Sequence, residues 1–250
     1  MIDAVIPARN EAATVAAVVE ACRACRYTSE VIVVDDGSSD GTAELALAAG
    51  AKVVRLDRGG GSKAQAMDAG VAASGAEAVL FCDADCVGLT AAHLDAVCEP
   101  FAAGRAAMSV GCFDYNRFWN PQVLRWPPTS GERVIPRWVW DAVPPPKRRG
   151  YDVEVMINEV IAEARLPTTV QIMPGVTHRT KRDKLGRGTG LVESQRMFWR
   201  LVSLPFRRVV RFRTYWFYLR ELTVLRATTV TSGGSTTGSS PGSTPVSDAR

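Results

Sequence analysis

A mostly parallel sheet with helices on both faces, an α/β fold, is what this sequence predicts, and two observations carry that prediction. Short apolar runs at residues 2–6, 31–34 and 79–82 alternate with Ala-, Val- and Leu-rich helical patterns at 11–25, 41–49 and 63–73. Each run also ends in a polar or glycine-containing turn: Pro7-Ala8-Arg9-Asn10-Glu11, then Asp35-Asp36-Gly37-Ser38, then Asp83-Ala84-Asp85. In such sheets ligands bind at the carboxyl ends of the strands. The three turns, all bearing carboxylates, are therefore where chemistry is expected.

With 250 residues and 46% hydrophobic content the chain can bury one sizeable core, which implies one folded domain. The net charge of +4 conceals an asymmetry: residues 1–113 carry eight Lys/Arg against fifteen Asp/Glu, residues 114–250 carry 22 against 11. The two halves are expected to meet different partners. Met1 leads directly into patterned sequence, without a basic start, apolar stretch and cleavage site, which points to a cytoplasmic protein. Six cysteines show no disulfide framework, and the Cys22-Arg23-Ala24-Cys25 pair has no second pair to complete a metal site. They read as structural thiols.

The second half is less regular. A helix is expected over 131–140, kinked or broken by Pro136, another over 153–164, and a strand over 168–172 that leads to Gly175-Val176-Thr177-His178. Residues 191–226 read as a basic, aromatic, helical segment, and 227–250, rich in Ser, Thr, Gly and Pro, as a disordered tail.

Asp83 and Asp85, two apart beyond an apolar run, can reach one site, and their hard oxygens suit Mg²⁺ or Mn²⁺. A solvated acidic loop is the alternative. Gly59-Gly60-Gly61-Ser62-Lys63 opens a helix and can present backbone N–H groups and Lys63 to phosphate, or simply be a mobile loop; it does not have the Walker A spacing.

Taken in order, Val5-Ile6-Pro7-Ala8-Arg9-Asn10-Glu11, Ile32 to Thr42 with its Asp35-Asp36 pair, and Phe81-Cys82-Asp83-Ala84-Asp85 resemble the family 2 glycosyltransferases of GT-A (Rossmann-like) fold. The resemblance covers roughly residues 1–190, taken as the catalytic domain. It implies that Pro7, Ala8, Arg9, Asn10 and Glu11 hold the nucleoside with Asp35 and Asp36, while Asp83, Ala84 and Asp85 meet ribose, metal and diphosphate. Asp36-Gly37 is equally an ordinary turn, and Ser38 or Asp40 an ordinary helix cap.

Ser130-Gly131-Glu132-Arg133 and Gly150-Tyr151-Asp152-Val153-Glu154 resemble acceptor-side segments of the family, including those of glucosyl-3-phosphoglycerate synthases and polyprenyl-phosphate sugar synthases. The resemblance implies that Gly131, Glu132 and Arg133 contact sugar or acceptor, and that Glu154 or Asp152 positions the acceptor or acts as base. Glu132 is alternatively paired with Arg133 or Arg137, and Glu154 simply well placed at a helix start. In the phosphoglycerate branch a late histidine is a third metal ligand, which makes His178 that candidate; a structural or phosphate-contacting role is the alternative.

Val209, Phe212, Trp216 and Leu219 share a helical face among arginines, too often interrupted to span a membrane. Residues 198–226 fit an amphipathic helix, either lying on an anionic membrane surface at the inner face of the cell membrane or packed on the domain. The expected function is metal-dependent transfer from a nucleoside-diphosphate sugar, UDP favoured and GDP the alternative. The acceptor would be phosphate- or hydroxyl-bearing, a polyprenyl phosphate or a small phosphorylated molecule. Two rivals remain: a nucleotidyltransferase, which lacks its glycine-rich basic first turn here, and a nucleic-acid-binding module, which would leave the carboxylate turns unexplained.

Overall fold

The computed structural model describes residues 1–56, 62–114, 130–144, 152–178 and 222–226, with the single positions Thr214, Trp216 and Arg220. Its first half follows the alternation seen in the sequence: β1 (Ile2–Ala8), α1 (Val15–Ala24), β2 (Thr28–Asp35), α2 (Thr42–Ala48), β3 (Lys52–Arg55), α3 (Lys63–Ala73) and β4 (Ala78–Phe81). Then come β5 (Cys86–Val87), α4 (Ala91–Ala102), β6 (Met108–Phe113), β7 (Arg133–Pro136), α5 (Arg137–Ala142), α6 (Asp152–Glu163), β8 (Thr168–Met173), β9 (Thr177–His178) and β10 (Leu222–Arg226).

The eight-stranded sheet runs β10-β8-β6-β7-β4-β1-β2-β3, while β5 and β9 form a separate two-stranded ribbon. All pairs in the large sheet are parallel except those of β7, which lies antiparallel between β4 and β6. Side chains of each strand alternate between the faces. Ile2, Ala4, Ile6 and Ala8 of β1 join Leu80 of β4 and Val18 of α1 in one core cluster, whereas Val5, Val79 and Phe81 face Met67 of α3, Trp140 of α5 and Ile157 of α6 in another. Helices thus cover both faces, as predicted. Trp140 locks α5 in place, its ring 5.2 Å from that of Phe81 and its indole N–H donating to Asp68 Oδ1 at 3.0 Å.

Two sequence expectations change. The helix expected over 131–140 is a strand followed directly by a helix, with Pro136 as the hinge. Its missing N–H and fixed φ, here −69°, suit the last position of β7 and the cap of α5. Residues 222–226, read as the end of an amphipathic helix, form β10, which pairs in parallel with β8. The sheet therefore draws on chain beyond 190, where the sequence reading closed the domain. Thr214, Trp216 and Arg220 are helical and Trp216 is exposed. The remainder of the proposed membrane-facing segment and the tail at 227–250 lie outside the described residues, as does the Gly59–Gly61 loop. Among the described residues no helix is long and apolar enough to cross a membrane. All six cysteines are buried as free thiols.

Strand β1 and helix α3 meet at Gly70, where a β-carbon would lie 2.3 Å from Val5 Cγ1 and 3.1 Å from Val34 Cγ2. Alanine is favoured over glycine in a helix by about 1 kcal/mol, but overpacking a close-packed core costs about 1–3 kcal/mol. Gly70→Ala is accordingly expected to lower stability by roughly 1–2 kcal/mol in urea unfolding. A midpoint equal to or above that of the parent would show that α3 can move off the sheet.

Candidate active site

The order β3-β2-β1-β4 means that the chain leaves β1 in one direction and returns to place β4 on its other side, so the crevice between β1 and β4 is the switch point of the sheet. The turns after β1, β2 and β4 all open at that end.

The first two turns hold each other. The backbone N–H of Asn10 donates to Ser38 Oγ at 2.9 Å, and Asn10 Oδ1 accepts from the N–H of Ser39 at 2.9 Å. Glu11 N–H donates to Thr42 Oγ1 at 2.8 Å and Ala12 N–H to Asp40 Oδ2 at 3.0 Å. Asn10 adopts φ +55°, a left-handed conformation that asparagine tolerates better than most residues. Asp35 and Asp36 are buried, Asp35 Oδ1 accepting from Ser38 N–H at 3.2 Å and Asp36 lying 3.7 Å from the Arg9 guanidinium. Arg9 and Asn10 are exposed, and Ala8 is buried beneath them.

Where β4 ends, the carboxylate of Asp83 packs on Gly131. A β-carbon there would lie 2.3 Å from Asp83 Oδ2, so only glycine leaves this cradle open. Lys63, the first residue of α3, is aimed at the same point. Its helix start is fixed by Ser62, whose hydroxyl accepts from Gln65 N–H while the Gln65 side chain accepts from Ser62 N–H. The Lys63 ammonium lies 2.6 Å from Asp83 Oδ1 and 2.9 Å from Glu154 Oε1. Burial alone would lower the lysine pKa, but the carboxylates of Asp83 and Glu154 outweigh it and hold the ammonium well above its ordinary value.

Glu132 and Arg133, expected at the acceptor, are both fully buried. Glu132 Oε1 accepts from the Cys86 thiol at 3.0 Å and from Asp83 N–H at 3.4 Å, and Oε2 accepts from the Ser130 hydroxyl at 2.5 Å. Burial, and then the charge of Asp83, push the Glu132 carboxyl up to about 7. Arg133 donates to Ser130 O at 3.0 Å, Glu154 O at 3.2 Å and Asn158 Oδ1 at 3.0 Å, which ties β7 to α6. Both side chains build the wall of the site. Cys86 and Asn158 are participants that nothing in the sequence singled out, since their roles arise only from contacts between distant elements.

His178 is exposed, its ring 5.3 Å from that of Phe113. The pairing of β9 with β5 sets His178 directly opposite Cys86, next in sequence to Asp85. The topology thus brings this late histidine to the edge of the Asp83–Asp85 turn. Among the described residues no group of three or more His, Cys, Asp or Glu side chains stands in metal-holding geometry. Asp152 begins α6, two positions before Glu154.

A mostly parallel α/β sheet with an Asp-x-Asp turn at its switch point is the GT-A architecture of glycosyltransferases. The chain belongs to glycosyl transferase family 2, whose model matches residues 3–155. It is therefore a glycosyltransferase, which sets aside the nucleotidyltransferase and nucleic-acid-binding readings. Solved structures with the same fold include glucosyl-3-phosphoglycerate synthase from Mycobacterium tuberculosis. In its complex with Mn²⁺, UDP-glucose and phosphoglyceric acid that enzyme is 23% identical, with a TM-score of 0.65 over 84% of this chain and 80% of that one. In complex with Mg²⁺ and UDP the figures are 24%, 0.60, 72% and 71%. The comparison with curated proteins found no match.

Removing the Lys63 charge strands Glu154, whose side chain is only 2% exposed, beside Asp83. Lys63 and Asp83 are partly open to solvent, so the loss falls below that of a fully enclosed pair. In EDTA, Lys63→Met is expected to lower unfolding stability by about 1–3 kcal/mol, and the double variant Lys63→Met/Glu154→Gln to recover part of it. Equal urea midpoints for Lys63→Met and the parent would count against the ammonium bridge.

Proposed function

We propose that this glycosyltransferase transfers a sugar from a nucleoside-diphosphate sugar, UDP-linked in preference to GDP-linked, to a small phosphorylated acceptor in a Mg²⁺- or Mn²⁺-dependent reaction. One observation carries the reading. Asp83 lies in a glycine-floored cradle at the switch point, with Asp85 two residues on and Lys63 alongside. The donor set fits a hard dication, because Mg²⁺ sites commonly use one or two carboxylates and complete their shell with water and substrate phosphate. Asp83 and Asp85 would hold the ion, with His178 as the candidate third ligand. Bound there, the ion supplies neutralisation of charge on the departing diphosphate.

The chain's own groups account for the rest. The interlocked turns at Pro7–Glu11 and at Asp35 and Asp36 form the nucleoside side. Lys63 is the mobile charge: moving its ammonium from Asp83 to a donor phosphate would free the Glu154 carboxylate. A phosphate acceptor is already ionised and needs no base, whereas a hydroxyl acceptor would give its proton to Glu154 or Asp152. The small phosphorylated acceptor is favoured by the phosphoglyceric acid present in the M. tuberculosis enzyme of the same fold.

A panel of UDP- and GDP-sugars with phosphoglycerate, other small phosphorylated acids and polyprenyl phosphate, assayed with Mn²⁺, tests this reading. Nucleoside diphosphate release dependent on metal and on a small phosphorylated acid is expected. Asp85→Asn should lower the rate on the order of 100-fold or more. Donor consumption by Asp85→Asn at the parent rate, or turnover unchanged in EDTA, would overturn the proposal.

A further inference from the structure

The carboxylate of Glu132 is fully buried and occupied by contacts within the protein. Its surroundings suggest a task. The backbone of Glu132 is fixed from the far side, its carbonyl accepting from Gly111 N–H of β6 at 2.7 Å. The next residue, Arg133, pairs with Val110 of β6 and with Phe81 of β4. Glu132 is therefore anchored just past the point where β4 ends, and its side chain crosses to the turn that follows β4.

There a single oxygen, Oε1, receives the N–H of Asp83 at 3.4 Å and the thiol of Cys86 at 3.0 Å. Those donors are the first residue of the Asp83-Ala84-Asp85 turn and the residue immediately after it, so one atom grips both ends. Oε2 is fixed by Ser130, next to the Gly131 cradle on which the Asp83 carboxylate packs. Cys86 carries the constraint onward, because it pairs with His178 across the β5–β9 ribbon.

We infer that Glu132 is a positioning residue that clamps the Asp83–Asp85 turn and so holds the Asp83 carboxylate on its Gly131 cradle, where a divalent cation would meet it. This inference rests on the metal-dependent reading above. A turn left free would have to be ordered when the ion arrives, and holding it beforehand removes that ordering cost from binding. Groups that orient metal ligands typically matter 10- to 100-fold in metal affinity.

Titration calorimetry of MnCl₂ into the full chain saturated with UDP, paired with melting curves in EDTA and in Mn²⁺, tests the clamp. Glu132→Ala is expected to weaken Mn²⁺ about 10-fold or more and to abolish most of the Mn²⁺-induced rise in Tm. Glu132→Gln, whose amide oxygen can still accept from both donors while its NH₂ meets Ser130, should stay within about threefold of the parent. A purely structural role would lower the melting temperature in EDTA and leave Mn²⁺ affinity unchanged, and that result overturns the inference. So does a Glu132→Gln variant as weak as Glu132→Ala, which would make charge the requirement. If Glu132→Ala is not recovered folded, Cys86→Ala, which removes one of the two gripped donors, decides: parental Mn²⁺ affinity there refutes the clamp. Asp85→Asn in the same titration separates the two levels. Its retention of Mn²⁺ binding would sink the metal reading itself, whereas its loss alongside a normal Glu132→Ala sinks only the clamp.

Discussion

Where β4 ends, carboxylates from three separate elements converge, and one ammonium lies between two of them. Asp83 comes from the turn after β4, Glu132 from the entry to β7, Glu154 from the first turn of α6, and Lys63 reaches in from the start of α3. In a partly enclosed site such crowding is tolerable only if positive charge is supplied or a proton is retained. Lys63 supplies the charge, and burial raises the Glu132 carboxyl to about 7. The remaining negative charge is what a dication and its diphosphate partner can exploit. The electrostatic demand that shapes the fold around this corner is thus the same one that the proposed metal and charged donor would meet.

The turns after β1 and β2 use a different device. These two turns are joined by mutual hydrogen bonds, with Asn10 donating to Ser38 and accepting from Ser39, and Thr42 and Asp40 receiving the chain as it enters α1. Because β1 and β2 are adjacent and parallel, the turns leave the sheet side by side. Asp35 and Asp36 remain buried as part of that arrangement. A rigid cradle on one side of the switch point and a charge-balanced corner on the other divide the work between geometry and electrostatics.

The first half of the fold was legible because its strands are apolar runs closed by turns, and Asp83 and Asp85 stand out beyond one of them. Helix α3 was readable to its ends for a local reason: the Ser62 capping box begins it. The corner itself was not legible. Lys63 and Glu154 are 91 positions apart, and nothing local to either declares the pair. Strand β7 was missed because four residues ending in proline run into a helix without an intervening turn, so the apolar positions blend into a helical pattern. With β7 hidden, Glu132 read as an acid that contacts sugar or acceptor, or that pairs with Arg133 or Arg137. Its burial is decided by where the strand inserts, a property of the sheet and not of the residue.

That insertion also bears on how the chain is made. Until β7 slots between β4 and β6, all four residues of β4, which are buried in the finished protein, form an open sheet edge. A nascent chain that has emerged only as far as residue 130 would carry that edge bare, with an acidic corner still lacking Glu132, Arg133 and Glu154. Closure depends on pairing over a separation of more than fifty residues, the kind of long-range event that is slow relative to local folding. During the interval between synthesis of β4 and arrival of β7 that open edge is exposed to self-association, and the step that ends the interval is the same one that brings Glu132 and Arg133 to the Asp83 corner.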